Sequence, residues 1–168
     1  MQEEAKKTVK YDIDGHDIVT NAINEILNKY PNLEGEEILF STLGKESGIG
    51  WFPVSGAIIA EEKTTIKGIT KQVCNYPFYV IYRTGEGRSK QKVIIKEFLD
   101  NMGKWLERQT LIIDGETHRL ESYPALTENR EIIEIARQTP SYLDTTNDGV
   151  EDWAILITLK YKNEFRRN

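Results

Sequence analysis

The chain has 168 residues, of which 39% are hydrophobic, 29% charged and 10% aromatic, a composition that is typical of one folded domain and excludes wholesale disorder. The net charge of −5 gives no support to general nucleic-acid binding, which needs a basic surface. Cys74 is the single cysteine, so an intramolecular disulfide and a thiol-rich zinc site are excluded. We expect folding in a reducing cytoplasm, with no signal segment and no membrane span.

The first predicted element is a helix over residues 17–30. Its apolar side chains recur every three or four positions, which places them on one face. Asp17 is the predicted N-cap, and Pro31 must stop the helix. The first ten residues alternate acid and base without a period, so we expect residues 1–16 to form a flexible extension.

A short strand is predicted over residues 36–43. It is followed by GKESGIGWFPVSG, which the glycines indicate is a long, shaped loop. Trp51 and Phe52 lie inside that loop. A large apolar side chain in such a place either fills the local core or anchors a partner protein.

Residues 57–66 and 69–82 are predicted to form two strands joined by a tight turn at Lys67-Gly68, because glycine can adopt a positive φ. The outer part of this hairpin, EEKTTIKGITKQ, is almost wholly polar, so we expect it to project from the domain. The second strand ends in YPFYVIY, which is apolar on both faces as a central strand requires. Pro77 needs an edge position or a bulge at the start of that run.

The glycine-rich basic segment RTGEGRSK lies between this strand and the next helix. It lacks the GK[ST] ending of a phosphate-binding loop, and Lys90 stands where a dinucleotide fingerprint needs its third glycine. We interpret it as a connection whose Arg83, Arg88 and Lys90 face solvent, a neighbouring subunit or passing DNA. An anion site at the helix N-terminus is the alternative.

The second helix is predicted over residues 90–107, with Ser89 as its N-cap and an apolar stripe from Ile95 to Leu106. The remainder of the chain is rich in strands. An Asp-Gly turn joins short strands within residues 111–117.

Two longer strands are predicted near the C-terminus. The first, over residues 131–138, alternates with Ile133 and Ile135 on one face, and the final strand over residues 153–161 alternates strictly. Between them, DTTNDG resembles the start of a calcium loop, but Ile155 stands where the closing acid should be, so a polar turn is predicted.

The element order predicts an α+β fold: a mainly antiparallel sheet, two helices packed on one face, and a projecting hairpin. We expect a single domain over residues 17–163 and a C-terminal tail over residues 164–168. No arrangement of histidine, cysteine and carboxylates at catalytic or metal-ligating spacing occurs in the sequence. We therefore expect no enzyme activity, no metal and no cofactor.

Two segments resemble a known family. Residues 50–109 contain the hairpin with a polar tip, the aromatic strand FYVIYR and a helix ending in WLE, and residues 132–163 contain TPSYLD before the last strand. In this order they resemble the tail terminator or minor capsid (head–tail joining) proteins of long-tailed bacteriophages of Gram-positive bacteria. The resemblance extends over about residues 17–163.

The resemblance implies a structural protein of the virion, assembled in the cytoplasm of the bacterial host. Such proteins form a ring, usually hexameric, on the completed tail tube, stop its polymerisation and present the surface that joins tail to head. The implied partners are other copies of the chain, the tail tube protein and a head-completion protein, with DNA passing through the lumen. Another neck subunit is the alternative within this class, and a small-ligand or nucleotide-binding module is the alternative outside it.

A ring is a closed set of contacts between two different surfaces of one subunit. We expect the hairpin charges to contact the lumen or the tube, and the loop around Trp51 to pack on a neighbouring subunit or the tube. An acidic lumen, which the net charge favours, would let DNA slide. The predicted interface set is Trp51, Phe52, Glu61, Glu62, Lys63, Lys67, Lys71, Arg83 and Arg88.

Overall fold

The computed structural model describes residues 8–85, 89–127 and 129–167. Within them the chain forms two helices and nine strands. In chain order these are α1 (Ile13–Leu27), β1 (Ile38–Phe40), β2 (Gly48–Pro53), β3 (Ile58–Thr64), β4 (Ile69–Gly85), α2 (Ser89–Leu106), β5 (Leu111–Ile113), β6 (Glu116–His118), β7 (Arg130–Arg137), β8 (Tyr142–Asn147) and β9 (Val150–Arg166).

The main sheet is built around two long strands. β4 and β9 have 17 residues each and pair antiparallel along their whole length, from Ile69 opposite Arg166 to Gly85 opposite Val150. β2 and β3 share the other edge of β4, while β7 and β8 share the other edge of β9. Only β1, which lies outside β2, is parallel to its neighbour. β5 and β6 form a separate two-stranded sheet.

Both helices pack on the same face of this sheet. Alternate side chains of β4 and β9, such as Phe78 and Ile157, are buried there. From α1, Thr20 lies with its hydroxyl 2.8 Å from the Tyr76 hydroxyl. From α2, the ring of Phe98 meets the Tyr82 ring edge-on, 5.4 Å between centroids. The predicted α+β architecture, with a mostly antiparallel sheet and two helices, is confirmed.

The first helix begins earlier than predicted. Its N-cap is Asp12 rather than Asp17, and the Asp12 carboxylate accepts a hydrogen bond from the Gly15 amide. The chain before the helix runs beside β3, where Asp12 donates its amide to Ala57 and Ile59 donates to Lys10. Residues 10–12 are therefore attached to the sheet, whereas residues 1–7 of the predicted extension lie outside the described part.

The first helix also ends earlier, at Leu27. Tyr30 still lies in the core at 2% exposure, because the turn after the helix keeps the ring between Phe98 and Trp105 of α2. The apolar periodicity thus continues beyond the helical backbone.

The predicted glycine-rich loop contains a strand. β2 pairs antiparallel with β4 and places Trp51 opposite Val80. Gly50 is needed within it because a Cβ there would collide with the carbonyl oxygen of Thr42. The glycines that indicated a loop are instead explained by the close approach of the backbone between β1 and β2.

The predicted hairpin is present as β3 and β4, but its turn is longer than Lys67-Gly68. It spans residues 65–68, closed by a hydrogen bond from the Gly68 amide to the Thr65 carbonyl (2.9 Å). Gly68 has a φ of 81°, as in hairpins with a glycine bulge after the turn. Because β9 extends to Arg166 beside β4, the outer hairpin is part of a three-stranded ribbon, and residues 164–166 are strand rather than tail.

Pro77 lies where β4 changes its partner strand. Phe78 is opposite Pro53 of β2, whereas Asn75 is opposite Ile58 of β3. The proline, which has no amide hydrogen to donate, therefore occupies the gap between these two neighbours, as the edge position predicted for it requires.

The prediction that Ile133 and Ile135 share a face is wrong. A β-bulge between Ile132 and Glu134 adds one residue to β7, so that Ile132 and Ile135 are buried while Ile133 is exposed. A bulge reverses the alternation of faces beyond it, and the sequence pattern alone does not show where it lies.

Most of the predicted polar turn over residues 144–149 is strand. β8 pairs with β9 as far as Asn147 opposite Val150. Only Asp148 and Gly149 form the turn, both with positive φ (48° and 78°), as a two-residue type I′ turn requires. The Asp-Gly turn between β5 and β6, the second helix and the alternation of the last strand are all confirmed.

The buried hydroxyl of Thr158 is expected to lower the stability of the fold. Its Oγ1 atom is buried and has no hydrogen-bond partner among the described residues. A buried polar atom without a partner costs about 1–3 kcal/mol. The Thr158→Val variant should therefore raise the free energy of unfolding by about 1 kcal/mol, measured by urea titration.

Thr20 offers a matched control. Its hydroxyl donates to the His16 carbonyl (2.7 Å) and lies 2.8 Å from the Tyr76 hydroxyl, so Thr20→Val should lower the free energy of unfolding by about 1 kcal/mol. Equal destabilisation by both variants would contradict the prediction for Thr158.

Candidate interaction surface

The sheet has a second face, opposite the helices, which we call the open face. Because paired residues on neighbouring strands point to the same side, the register assigns the side chains on it. Its centre is apolar and half-buried, and we call this part the apolar belt. The belt consists of Phe52, Pro77, Tyr79, Ile81, Tyr142 and Leu156.

The two tyrosines of the belt lie side by side on different strands. Burial raises the pKa of Tyr142, and its neighbour Tyr79 raises it further. The Tyr142 phenol therefore stays protonated at neutral pH. The belt presents aromatic and aliphatic surface without charge, unlike the polar outer face that an antiparallel sheet usually presents to water.

Towards the hairpin turn, the open face becomes charged. Lys63 lies opposite Lys71, which lies opposite Glu164. Further along, Lys162 contacts Glu131 at 3.2 Å, with both side chains more than half exposed. Exposed ion pairs contribute about 0–1 kcal/mol, so these charges are free to exchange their partners for those of another protein.

At the opposite end of β4, a bidentate salt bridge closes the open face. Arg83 donates to both carboxylate oxygens of Asp152 at 2.7 and 2.8 Å, and also to the Gly44 carbonyl at 3.2 Å. The hydrogen bonds from Arg83 lower the pKa of Asp152. Arg83 is therefore occupied in linking β4, β9 and the chain before β2.

The structure brings together five members of the predicted interface set on the open face or at its end, and Arg83 lies on the same face, bound to Asp152. Phe52, Glu61, Lys63 and Lys71 all lie on the open face, and Lys67 lies exposed in the turn at its end. Glycine spacing and polarity indicated these positions from the sequence. The shared face depends on strand register, which residue type alone does not determine.

The other members lie elsewhere. The Trp51 side chain is fully buried, and its indole donates to Asn24 of α1 at 3.1 Å, which supports the core alternative for this residue. Glu62 points to the helix face and accepts a hydrogen bond from Gln72 at 2.6 Å. Arg88 lies outside the described residues.

A buried polar cluster connects distant parts of the chain, and sequence reasoning missed it. The Asp12 carboxylate accepts two hydrogen bonds from Arg130, both at 2.9 Å, and one from the Tyr161 hydroxyl at 2.6 Å. Asp12 is 7% exposed. The partners are 118 and 149 residues away in sequence, so no local motif indicates them.

The cluster of Asp12, Arg130 and Tyr161, which we call the lock, attaches the start of α1 to the sheet. Burial alone would raise the pKa of Asp12, but the bonds from Arg130 and Tyr161 lower it below its usual value. Burial raises the pKa of Cys74, which lies nearby, to about 11, so its sulfur is a thiol at neutral pH and a weak nucleophile. The ionised Asp12 carboxylate therefore holds the helix N-terminus to the sheet through Arg130 and Tyr161.

The cavities of the described residues are open grooves. One of them, of about 790 Å³, lies against β7 and is lined by residues that include Tyr123, Leu126 and Lys162. The residues that the structure describes contain no group of three or more histidine, cysteine or acidic side chains that could hold a metal ion. Neither described helix is long and apolar enough to cross a membrane.

Comparison with known proteins adds no family. No protein-family model matches the chain, and no curated protein matches it. The relation to phage tail terminators therefore stays a prediction that rests on the segments over residues 50–109 and 132–163.

The lock predicts a specific pH dependence. Because the pKa of Asp12 is lowered in the folded state, its contribution to stability is complete above its usual value and is lost as the pH falls through the folded value. The Asp12→Asn variant should lose about 3 kcal/mol at pH 7, because Arg130 remains buried without its partner. Below about pH 3 the difference from wild type should shrink.

Denaturant unfolding at a series of pH values measures both effects. Glu131→Gln is the control, because it breaks the exposed pair with Lys162 and should change stability by less than about 1 kcal/mol. An Asp12→Asn deficit that is as large at pH 2.5 as at pH 7 would contradict the lock.

Proposed function

We propose that the chain is a structural subunit of a long-tailed bacteriophage, a tail terminator that forms a ring on the completed tail tube. The single observation that carries this proposal is the open face, with its apolar belt and its charged end. The resemblance of the two segments named above gives the proposal its phage context. In the proposed subunit, the three-stranded ribbon of β3, β4 and β9 projects from the domain.

The apolar belt favours a protein partner over solvent. Removing apolar surface from water contributes roughly 25 cal/mol for each Å². A partner that covers Phe52, Tyr79 and Leu156 would therefore gain binding free energy from their burial. Tyrosine is enriched at the energetic centres of interfaces, and phenylalanine is enriched in interfaces in general. Polar residues around such a centre form the rim.

The charged end suits the tube or the lumen. Glu61, Lys63 and Lys71 are exposed and make no ion pair among the described residues. They can therefore pair with charges on the tube protein and set its orientation. The acidic balance of the whole chain, −5, favours a lumen through which DNA slides without specific binding.

Capping of tail tubes tests the proposal. The purified chain is added to polymerising tail tube protein from the same phage, and tube lengths are measured by negative-stain electron microscopy. The wild-type chain should bind tube ends as rings and limit the length. Tyr142→Lys, which places a charge in the apolar belt at an edge strand, should weaken capping roughly tenfold or more.

A matched pair of double variants tests the charged end. Glu61→Ala/Lys63→Ala should reduce capping, whereas Glu25→Ala/Lys29→Ala removes an exposed acid of α1 and an exposed base just after it and should leave capping unchanged. Thermal unfolding confirms that all variants fold. Tubes that grow to the same length with and without the wild-type chain would rule out the terminator function.

A further inference from the structure

The ribbon ends in an apolar residue surrounded by cations. Ile66, in the turn between β3 and β4, is the most exposed large hydrophobic residue of the described part, at 107% of its reference area. The charges nearest to it are Lys67 in the turn and Arg166 opposite Ile69, and further from the turn Lys63 and Lys71 lie beside Glu164. The tip is thus mainly basic, although the chain as a whole is acidic. The basic residues of this tip are Lys63, Lys67, Lys71, Arg166 and Arg167.

These cations are largely available to a partner. Among the described residues, only Arg167 of the five makes an ion pair, at 3.5 Å from Glu62. Lys67 and Arg166 are exposed. The tip is therefore an apolar knob with a positive rim that nothing in the described part of the chain covers.

A pocket of opposite character lies between the α1–β1 connection and α2. Its volume is about 230 Å³. Apolar side chains and acidic side chains both line it, and the acids make no ion pair among the described residues. The apolar part of the lining includes Leu33, Ile94 and Phe98, and the acidic part consists of Glu34, Glu36 and Glu97.

The negative potential of these acids reaches into the pocket. Tyr82 also lines it, and burial raises the pKa of this tyrosine, with Glu36 and Glu34 raising it further. Ile94 is 56% exposed, so apolar surface is open to solvent beside the acids. The pocket matches the tip in both polarity and charge.

Tip and pocket are at opposite ends of one rigid element. Ile69, next to the tip, and Tyr82, in the pocket, are thirteen residues apart on β4, roughly 43 Å at about 3.3 Å per residue. One molecule therefore cannot place its own tip in its own pocket. Two different surfaces that match each other make a heterologous contact, which closes into a ring or continues as a filament.

We propose that the β3–β4 tip of each subunit inserts Ile66 into the acidic pocket of the next copy of this chain. The lysine and arginine side chains at the tip then meet Glu34, Glu36 and Glu97 around the apolar contact. This inference rests on the proposed function for its biological setting, since it identifies the joint of the ring. Self-association through this joint is strongest at low salt, because exposed charges are screened at high salt.

Charge reversal on each side tests the joint. Lys67→Glu/Arg166→Glu reverses the tip, and Glu36→Lys/Glu97→Lys reverses the pocket, all at exposed positions. Each variant alone should self-associate roughly tenfold more weakly than wild type or worse. A 1:1 mixture should regain the wild-type assembly mass, since reversed tips fit reversed pockets and native tips fit native pockets. Light scattering and sedimentation velocity measure the mass.

Controls with the same charge changes separate the joint from general repulsion. Lys45→Glu/Arg119→Glu and Glu116→Lys/Glu121→Lys alter exposed residues that belong neither to the tip nor to the lining of the pocket, and should assemble as wild type does. The apolar contact has its own pair: Ile66→Ser should weaken assembly roughly tenfold. Ile112→Ser, at an exposed isoleucine of the β5–β6 hairpin, should not.

The results discriminate between the two proposals. Reversals that leave assembly unchanged, a mixture that does not recover, or a wild-type chain that is monomeric at its highest soluble concentration in low salt would each overturn the joint. Tube capping is scored separately. A chain that caps tubes but ignores the reversals keeps the terminator function and loses the joint, whereas one that assembles through the joint but never caps keeps the joint and loses the function.

Discussion

The pairing of β4 with β9 is the interaction on which the rest of the structure depends. Each strand is longer than any single neighbour on its other edge, so two short strands share each edge. Since a shift by one residue would move every side chain to the opposite face, the strict alternation of β9 fixes the register of the pair. That register places Phe78 and Ile157 under the helices and Tyr79 and Leu156 on the open face.

The long pair also requires that its ends be held. At one end, Arg83 and Asp152 join the two strands through a bidentate contact. Further along β9, the Tyr161 hydroxyl donates a hydrogen bond to Asp12, the N-cap of α1, and so attaches the start of this helix to the sheet. The backbone of Arg167 donates to Gly68 in the turn. The ribbon is therefore constrained at several points along its length.

Segments with strong periodicity could be predicted from the sequence, and segments defined by distant partners could not. The apolar stripe of α2 and the alternation of β9 depend only on local order, so both elements were predicted. The bounds of α2 were close to those observed, whereas β9 extends beyond residues 153–161 at both ends, where it pairs with β4. β2 and β8 are glycine-rich or polar, and they are strands because β4 and β9 offer edges to pair with. Asp12 became the N-cap through partners more than a hundred residues away.

The same distinction applies to the candidate surface. Polarity identified Glu61, Lys63 and Lys71 as exposed, and this needed no register. Residue size could not decide whether Trp51 is a core residue or a partner contact, because both uses require a large apolar ring. The decision came from β2, whose pairing turns Trp51 inward and its neighbour Phe52 outward. Whether a large apolar residue in a strand is buried in the core or open to a partner thus depends on the face of the sheet that it occupies, more than on its residue type.

The rigidity of the central pair has a consequence for assembly. A flexible hairpin would lose conformational entropy when a partner ordered it, and this loss would weaken the contact. Here β9 supports β4 as far as Arg166, opposite Ile69, so the proposed joint would not have to order the tip. The separation between tip and pocket is then fixed by the length of one strand. Fixed separation and fixed direction are what a closed ring requires, because small errors at each joint accumulate around the circle.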